Sequence, residues 1–222
     1  MGEAQQTQQT QQTHNEHIPL SIPDFDSIPG NWLCLDFTHT LENRFSAPEE
    51  LLNSYDDVVA WGIFSHLLTE DEAERLLQKA KSRPGEACAA LVRAVDVREA
   101  LYRIFYAISQ GDEPHEHDMA VLNSELARAM SHASLVLRGD GYAWDWSASQ
   151  PELDVVLWHV VRSAAELLTS NKLSDVRACA ADDCRWLFLD ISKNHSRRWC
   201  DMQTCGNQAK ARRHYSRKKV TK

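Results

Sequence analysis

Polar and apolar positions divide this chain into two segments that alternate by twos, five that repeat at helical spacing, and two ends with little apolar pattern. In "NWLCLDFTHT", Asn31–Thr40, Leu33, Leu35 and Phe37 fall on one face and Cys34, Asp36 and Thr38 on the other. That alternation predicts a strand, entered from a turn at Pro29-Gly30. Tyr55–Leu68 has helical spacing, and Thr69 with Glu72 forms a capping box for a second helix running to about Ser82. Pro84-Gly85 interrupts the pattern. The longest periodic stretch follows, "EACAALVRAVDVREALYRIFYAIS", with Leu91, Ala94, Val95, Leu101, Ile104, Phe105 and Ile108 as its buried stripe. A further helix fits His117–Ala133. Ser134–Ser147 reads as a hairpin turning at Gly139-Asp140-Gly141. Its Tyr142, Trp144 and Trp146 share one face, read as core packing, with an aromatic pocket wall as the alternative. Pro151 precedes "LDVVLWHVVRSAAELLTS", apolar enough for a central helix.

The resulting fold class is α+β. A mostly helical N-terminal domain with a small antiparallel sheet spans residues 18–171, and a compact cysteine module spans 172–222. Residues 1–17, built around a Gln/Thr tract with nothing apolar to bury, are expected to be disordered.

Composition narrows the class without changing it. The chain has 43% hydrophobic and 25% charged residues, as expected of a globular protein. Apolar runs such as Val155–Trp158 are far too short for a bilayer, so no membrane partner is expected. The opening residues lack the basic and apolar regions of a signal peptide, which makes a cytoplasmic location the expectation. Thiols stay reduced there, so the six cysteines argue against a disulfide framework.

Charge is unevenly placed. The formal net charge is -8, yet residues 172–222 hold thirteen Lys or Arg against five Asp, a formal +8. The remainder therefore carries a formal -16, an acidic body attached to a basic end.

Within that end, Cys179, Cys184, Cys200 and Cys205 are spaced C-x4-C-x15-C-x4-C. Two short-range pairs joined by a connector are a common way to surround a structural zinc. Gly206 would let the backbone bend close to the metal, and Asn207 would cap a helix starting at Gln208. Free thiols packed as small apolar groups and a redox switch are the alternatives. His195 and His214 are assigned to the surface because four cysteines already close a tetrahedral site. No H-E-x-x-H or H-x-E motif accompanies the cysteines, so the expected zinc is single and structural.

Cations cluster around these cysteines. Arg197 and Arg198 precede Trp199, and a helix through "QAKARRHYSRKK" would place Lys210, Arg213 and Arg217 on one face with Arg212 nearly opposite. Such a surface suits phosphates, and arginine can also read a guanine edge. A merely solvated basic face is the alternative.

The segment "RACAADDCRWLFLDISKNHSRRWCDMQTCGNQAKARRHYSR" closely resembles the CGNR zinc-finger family of bacterial proteins, named for a Cys-Gly-Asn-Arg signature. Cys205-Gly206-Asn207 matches it, and Gln208 stands where the signature has Arg. The resemblance implies that Cys179, Cys184, Cys200 and Cys205 bind zinc and that the module binds DNA. Arg197, Arg198, Lys210, Arg212, Arg213 and Arg217 are the expected contacts. "LCLDFTHTLENR" and "VREALYRIF" are similar to the domain found upstream of these fingers, described as a stress-induced transcription regulator or ligand-sensing domain. His39 occupies a position where that family usually has Asn.

These readings combine into a zinc-dependent, DNA-binding transcriptional regulator whose body senses a small-molecule effector or forms a homodimer. An RNA- or protein-binding module with an architectural zinc is the alternative. Asp36, His39, Asn43 and Arg44 are the candidate effector ligands, unless they only satisfy backbone groups at element ends. No nucleophile motif, phosphate loop or acid/base pair is evident, so no enzymatic activity is expected.

Overall fold

Leu33–Thr38 is a short α-helix (α1), not the strand its alternation predicts. Cys34 through Thr38 are all buried, so these side chains do not sort into a core face and a solvent face. Over six residues the period-two and helical patterns overlap, and tertiary contacts decide. The indole Nε1–H of Trp32 donates to the Ser163 carbonyl at 3.1 Å, and the Cys34 amide donates to Ser163 Oγ at 3.2 Å. The computed structural model describes residue 25, residues 32–146 and residues 152–211. The expected tail at 1–17, the Pro29-Gly30 turn, Pro151 and the basic residues Arg212, Arg213 and Arg217 lie outside them.

After α1, a minimal pair of strands (β1, Leu41–Glu42; β2, Glu49–Glu50) leads into α2, Tyr55–Phe64, and α3, Glu70–Ser82. Capping boxes start both helices. Ser54 and Asp57 exchange hydrogen bonds on α2, and Thr69 and Glu72 do so on α3 as the sequence predicts. Pro84-Gly85 opens α4, Pro84–Gln110, where a proline costs nothing, so only Arg83 separates it from α3. Gly111, at φ 83°, ends α4 in the left-handed conformation. Then come α5, Glu116–Ser131, the hairpin of β3 (Ser134–Arg138) and β4 (Gly141–Asp145), and α6, Val155–Leu168.

From the expected stripe of α4, Ala94, Leu101, Ile104 and Phe105 are buried, while Leu91, Val95 and Ile108 are partly covered. Arg98 is buried among them. It reaches Glu50 through both terminal nitrogens at 2.5 and 2.7 Å and Glu99 through Nε at 2.9 Å. Of the three aromatic residues expected to face the core from the hairpin, only Trp146 is buried. Tyr142 is 76% exposed and Trp144 38%. The hairpin stands out from the body, so the expectation of core packing is corrected for the first two.

A third antiparallel pair, β5 (Val176–Ala178) and β6 (Leu187–Leu189), carries the cysteines. Successive side chains of β6 point opposite ways. Leu187 and Leu189 join Val176 in the main core, whereas Phe188 enters a small second core with Cys179, Ala181 and Cys200. The cysteine segment is thus welded to the helical body through one strand. Among the described residues, the antiparallel structure consists of three separate two-stranded pairs. No described helix is long and apolar enough to cross a membrane.

Candidate metal centre

Local turns bring the four cysteines together. Cys179 follows β5, and its amide donates to the Trp186 carbonyl at 2.8 Å. Arg185, at φ 53°, completes the left-handed turn between Cys184 and β6. Of the second pair, Cys200 ends the connector and Cys205 rides on one turn of π-helix, Met202–Gly206, capped by Asp201, whose carboxylate accepts from the Thr204 amide at 2.7 Å. The helix continues through 207–211. The cap is therefore Asp201. Asn207, expected in that role, lies inside the helix and donates from Nδ2 to the Gln203 carbonyl at 3.0 Å. Gly206 also serves differently from expectation. Its amide donates to the Asp201 carbonyl at 3.0 Å, and a Cβ there would stand 2.8 Å from the Met202 sulfur.

The four sulfurs lie within 4.8 Å of one another. Cys184 and Cys200 approach to 3.6 Å, and Cys200 and Cys205 to 3.7 Å. No pair is a disulfide. Zn–S bonds of about 2.3 Å arranged tetrahedrally place sulfurs about 3.8 Å apart, so these separations fit one zinc. The electrostatics agree. Hydrogen bonds from Cys184 and Cys200 favour a thiolate on Cys179 and hold its pKa far below the usual thiol value. That charge, with burial, pushes Cys184 and Cys200 well above it. Four thiolates cannot form together in this small core without a cation between them. His195 stands apart from the sulfurs, its Nδ1 2.9 Å from an Asp175 carboxylate oxygen.

Asp190, which pattern reading missed, organises the connector before Cys200. Fully buried, it accepts from the Ser192 amide at 3.0 Å, the Ser192 hydroxyl at 2.5 Å and the Arg197 amide at 2.9 Å. Burial alone would raise its pKa. The donors from Ser192 and Arg197 outweigh that and hold it below the ordinary Asp value. The available signal was the Asp-x-Ser spacing of an Asx turn. Asp190→Ala is expected to cost about 2 kcal/mol in urea unfolding at neutral pH, the penalty for stranding inward-pointing donors. Because the folded-state pKa is depressed, this contribution is complete above the unfolded value of about 3.9 and fades as pH falls through the folded one. The difference between wild type and variant should therefore shrink in acid.

The basic residues divide into two roles. Arg197 turns inward, donating from Nε to the Trp199 carbonyl at 2.9 Å and from Nη2 to the Cys200 carbonyl, with its guanidinium 4.9 Å from the centre of the Phe188 ring. Arg198 and Lys210 are exposed, and Arg198 lies 5.5 Å from the centre of the Trp199 ring.

Three of the candidate effector ligands, Asp36, His39 and Arg44, are engaged by groups of the protein itself. Asp36 accepts from the Trp32 amide at 3.2 Å. His39 is buried, stacks on Trp186 at 4.4 Å, and its Nε2–H donates to the Leu187 carbonyl at 2.8 Å. Burial lowers its pKa to about 3, so the ring is neutral. Asn43 sits exposed at φ 46°, and Arg44 grips Glu99 at 2.6 Å and stacks on Tyr102 at 4.1 Å. His39 thereby joins body to finger, as does Tyr102, which donates its hydroxyl to the Arg185 carbonyl at 3.2 Å.

Residues 31–171 match the family model ABATE, described as "Putative stress-induced transcription regulator". The chain belongs to that family. Residues 176–218 match the CGNR zinc finger, which covers the four clustered cysteines. With one structural zinc site, this ABATE protein is a zinc-containing member of a family of transcription regulators. A comparison with curated proteins finds no match.

Proposed function

We propose that this ABATE protein binds DNA through its zinc finger and that its acidic helical body senses a small molecule, acting by binding rather than by turnover. The observation that carries the reading is the exposed pair Arg198 and Lys210, each placed by a segment that the metal holds. One precedes Cys200 in the connector pinned by Asp190; the other lies on the helix that follows Cys205. Charge supports it, since an acidic body repels phosphates and leaves the basic end as the approach surface. Arg197 is assigned a supporting part, because its guanidinium already holds the Trp199 and Cys200 carbonyls.

Fluorescence anisotropy on duplexes selected from a random pool, read against salt, tests the proposal. Affinity is expected to fall steeply as salt rises, and Arg198→Ala or Lys210→Ala should each lower the log–log slope by about 1. Binding that ignores salt and both substitutions counts against DNA recognition. Tighter binding of single-stranded RNA in the same titration would favour the RNA-binding alternative.

A further inference from the structure

A cleft of about 540 Å3 lies between the start of α3, the first half of α6 and the β3–β4 hairpin, and its lining includes no residue of the finger or of the Asp36 cluster. Its size falls in the range of small-molecule sites, roughly 300–1,000 Å3. Leu68, Leu76 and Val155 give it an apolar lining, and Trp144 and Trp146 stand at the hairpin side. The two indoles are 6.2 Å apart and inclined at 30°, with the Arg162 guanidinium 5.5 Å from each. Trp146 is anchored by its Nε1–H to the Ala129 carbonyl at 2.9 Å. Trp144 is the freer of the pair and offers a ring face to a planar group.

Polar groups on the lining differ in how far they are already engaged. Glu72 serves the α3 capping box, accepting from the Thr69 amide and hydroxyl at 2.8 Å each. Glu152 pairs with Lys79 at 3.2 Å, and Asp145 accepts from Arg138 at 3.5 Å. Arg75 makes no hydrogen bond or close ion pair among the described residues, although its charge helps to lower the pKa of Glu72, and the Arg138 guanidinium has only that long contact among them. His159 packs edge-on against Trp146 at 4.8 Å and has no hydrogen-bond partner among the described residues. Burial, helped by Arg162, lowers its pKa and favours the neutral ring, which offers one donor and one acceptor. The lining's uncommitted groups are thus a guanidinium, an imidazole and an aromatic face.

We propose that this cleft binds a planar aromatic carboxylate. The ring lies against Trp144 and Trp146, the carboxylate meets Arg75 with Arg138 beside it, and His159 takes a hydroxyl on the ring. The assignment rests on the sensing role given to the body in the proposed function, and it names the site and the ligand chemistry.

Calorimetric titration of the full zinc-loaded chain with three probes tests it: 3-hydroxy-2-naphthoate, 2-naphthoate and 2-naphthylmethylammonium. The hydroxynaphthoate is expected to bind with Kd below about 1 mM, 2-naphthoate more weakly, and the ammonium not measurably. Arg75→Glu, at an exposed position, and Trp144→Ala should each weaken the carboxylates about tenfold. His159→Phe should erase the advantage of the hydroxyl and leave 2-naphthoate unchanged. Carboxylate binding weaker than about 1 mM, equal binding of the ammonium, or indifference to both Arg75→Glu and Trp144→Ala overturns the assignment. DNA anisotropy on the same samples separates the two readings. Protein that binds DNA but no naphthoate sinks the cleft alone, and protein that binds naphthoate but no DNA sinks the finger's role alone. A naphthoate that binds with no change in DNA affinity overturns sensing and leaves the site standing.

Discussion

Cys200→Ser is expected to release the metal and to lower the melting temperature of the whole chain, not of the finger alone. Cys200 approaches two neighbouring sulfurs at 3.6 and 3.7 Å, and its loss leaves only three thiolates for the metal. Structural zinc sites contribute on the order of 10 kcal/mol of binding free energy. Losing even a third of that lowers Tm by about 10 °C in a chain of this size. The effect should spread because Phe188 packs with the cysteines while its neighbours Leu187 and Leu189 belong to the main core. Metal analysis of the wild type should find about one zinc per chain, and the variant clearly less. Undiminished zinc in the variant, or a finger transition that leaves the body's tryptophan signal untouched, would contradict this account.

Glu50→Ala is expected to cost about 3 kcal/mol in chemical denaturation. It strips a bidentate partner from Arg98, whose side chain is only 2% exposed, and leaves Glu99 as that cation's remaining carboxylate. The cost arises from the stranded charge more than from the lost attraction. Arg98→Met should therefore cost less, since an apolar side chain of similar length fills the space and Glu50, 33% exposed, can turn to water. A larger loss for Arg98→Met than for Glu50→Ala would show that the ion pair itself carries the stability.

What could be read from the sequence was whatever local chemistry decides. Thr69 and Glu72 mark a helix start because both halves of the box lie within four residues. The cysteine spacing points to a metal because thiolates need a cation wherever they meet. The α1 segment was illegible for the opposite reason. Five of its six residues are buried, and Ser163, 129 positions from Cys34, supplies part of what holds it. His39 and Arg44 could be read either as effector ligands or as groups that satisfy the backbone at element ends. Their partners, the Leu187 carbonyl and Glu99, are supplied by distant segments. Arg197 illustrates the same limit on a smaller scale, since nothing in a basic run tells which cation turns inward. The cleft beside Trp144 was half visible as an aromatic alternation on the hairpin, but its arginine and histidine come from α3 and α6.

The strand β6 bears on how this architecture can be cut. Charge and cysteine spacing draw a boundary near residue 172, as though the finger were a cassette that could be moved to another protein. Excised there, it would bare Val176, Leu187 and Leu189, all less than 4% exposed in the intact chain, and Trp186 would lose the His39 ring stacked on it. The helical body left behind would show the matching apolar hole. In this protein the zinc finger is not portable, and chimeras should carry the body along with it.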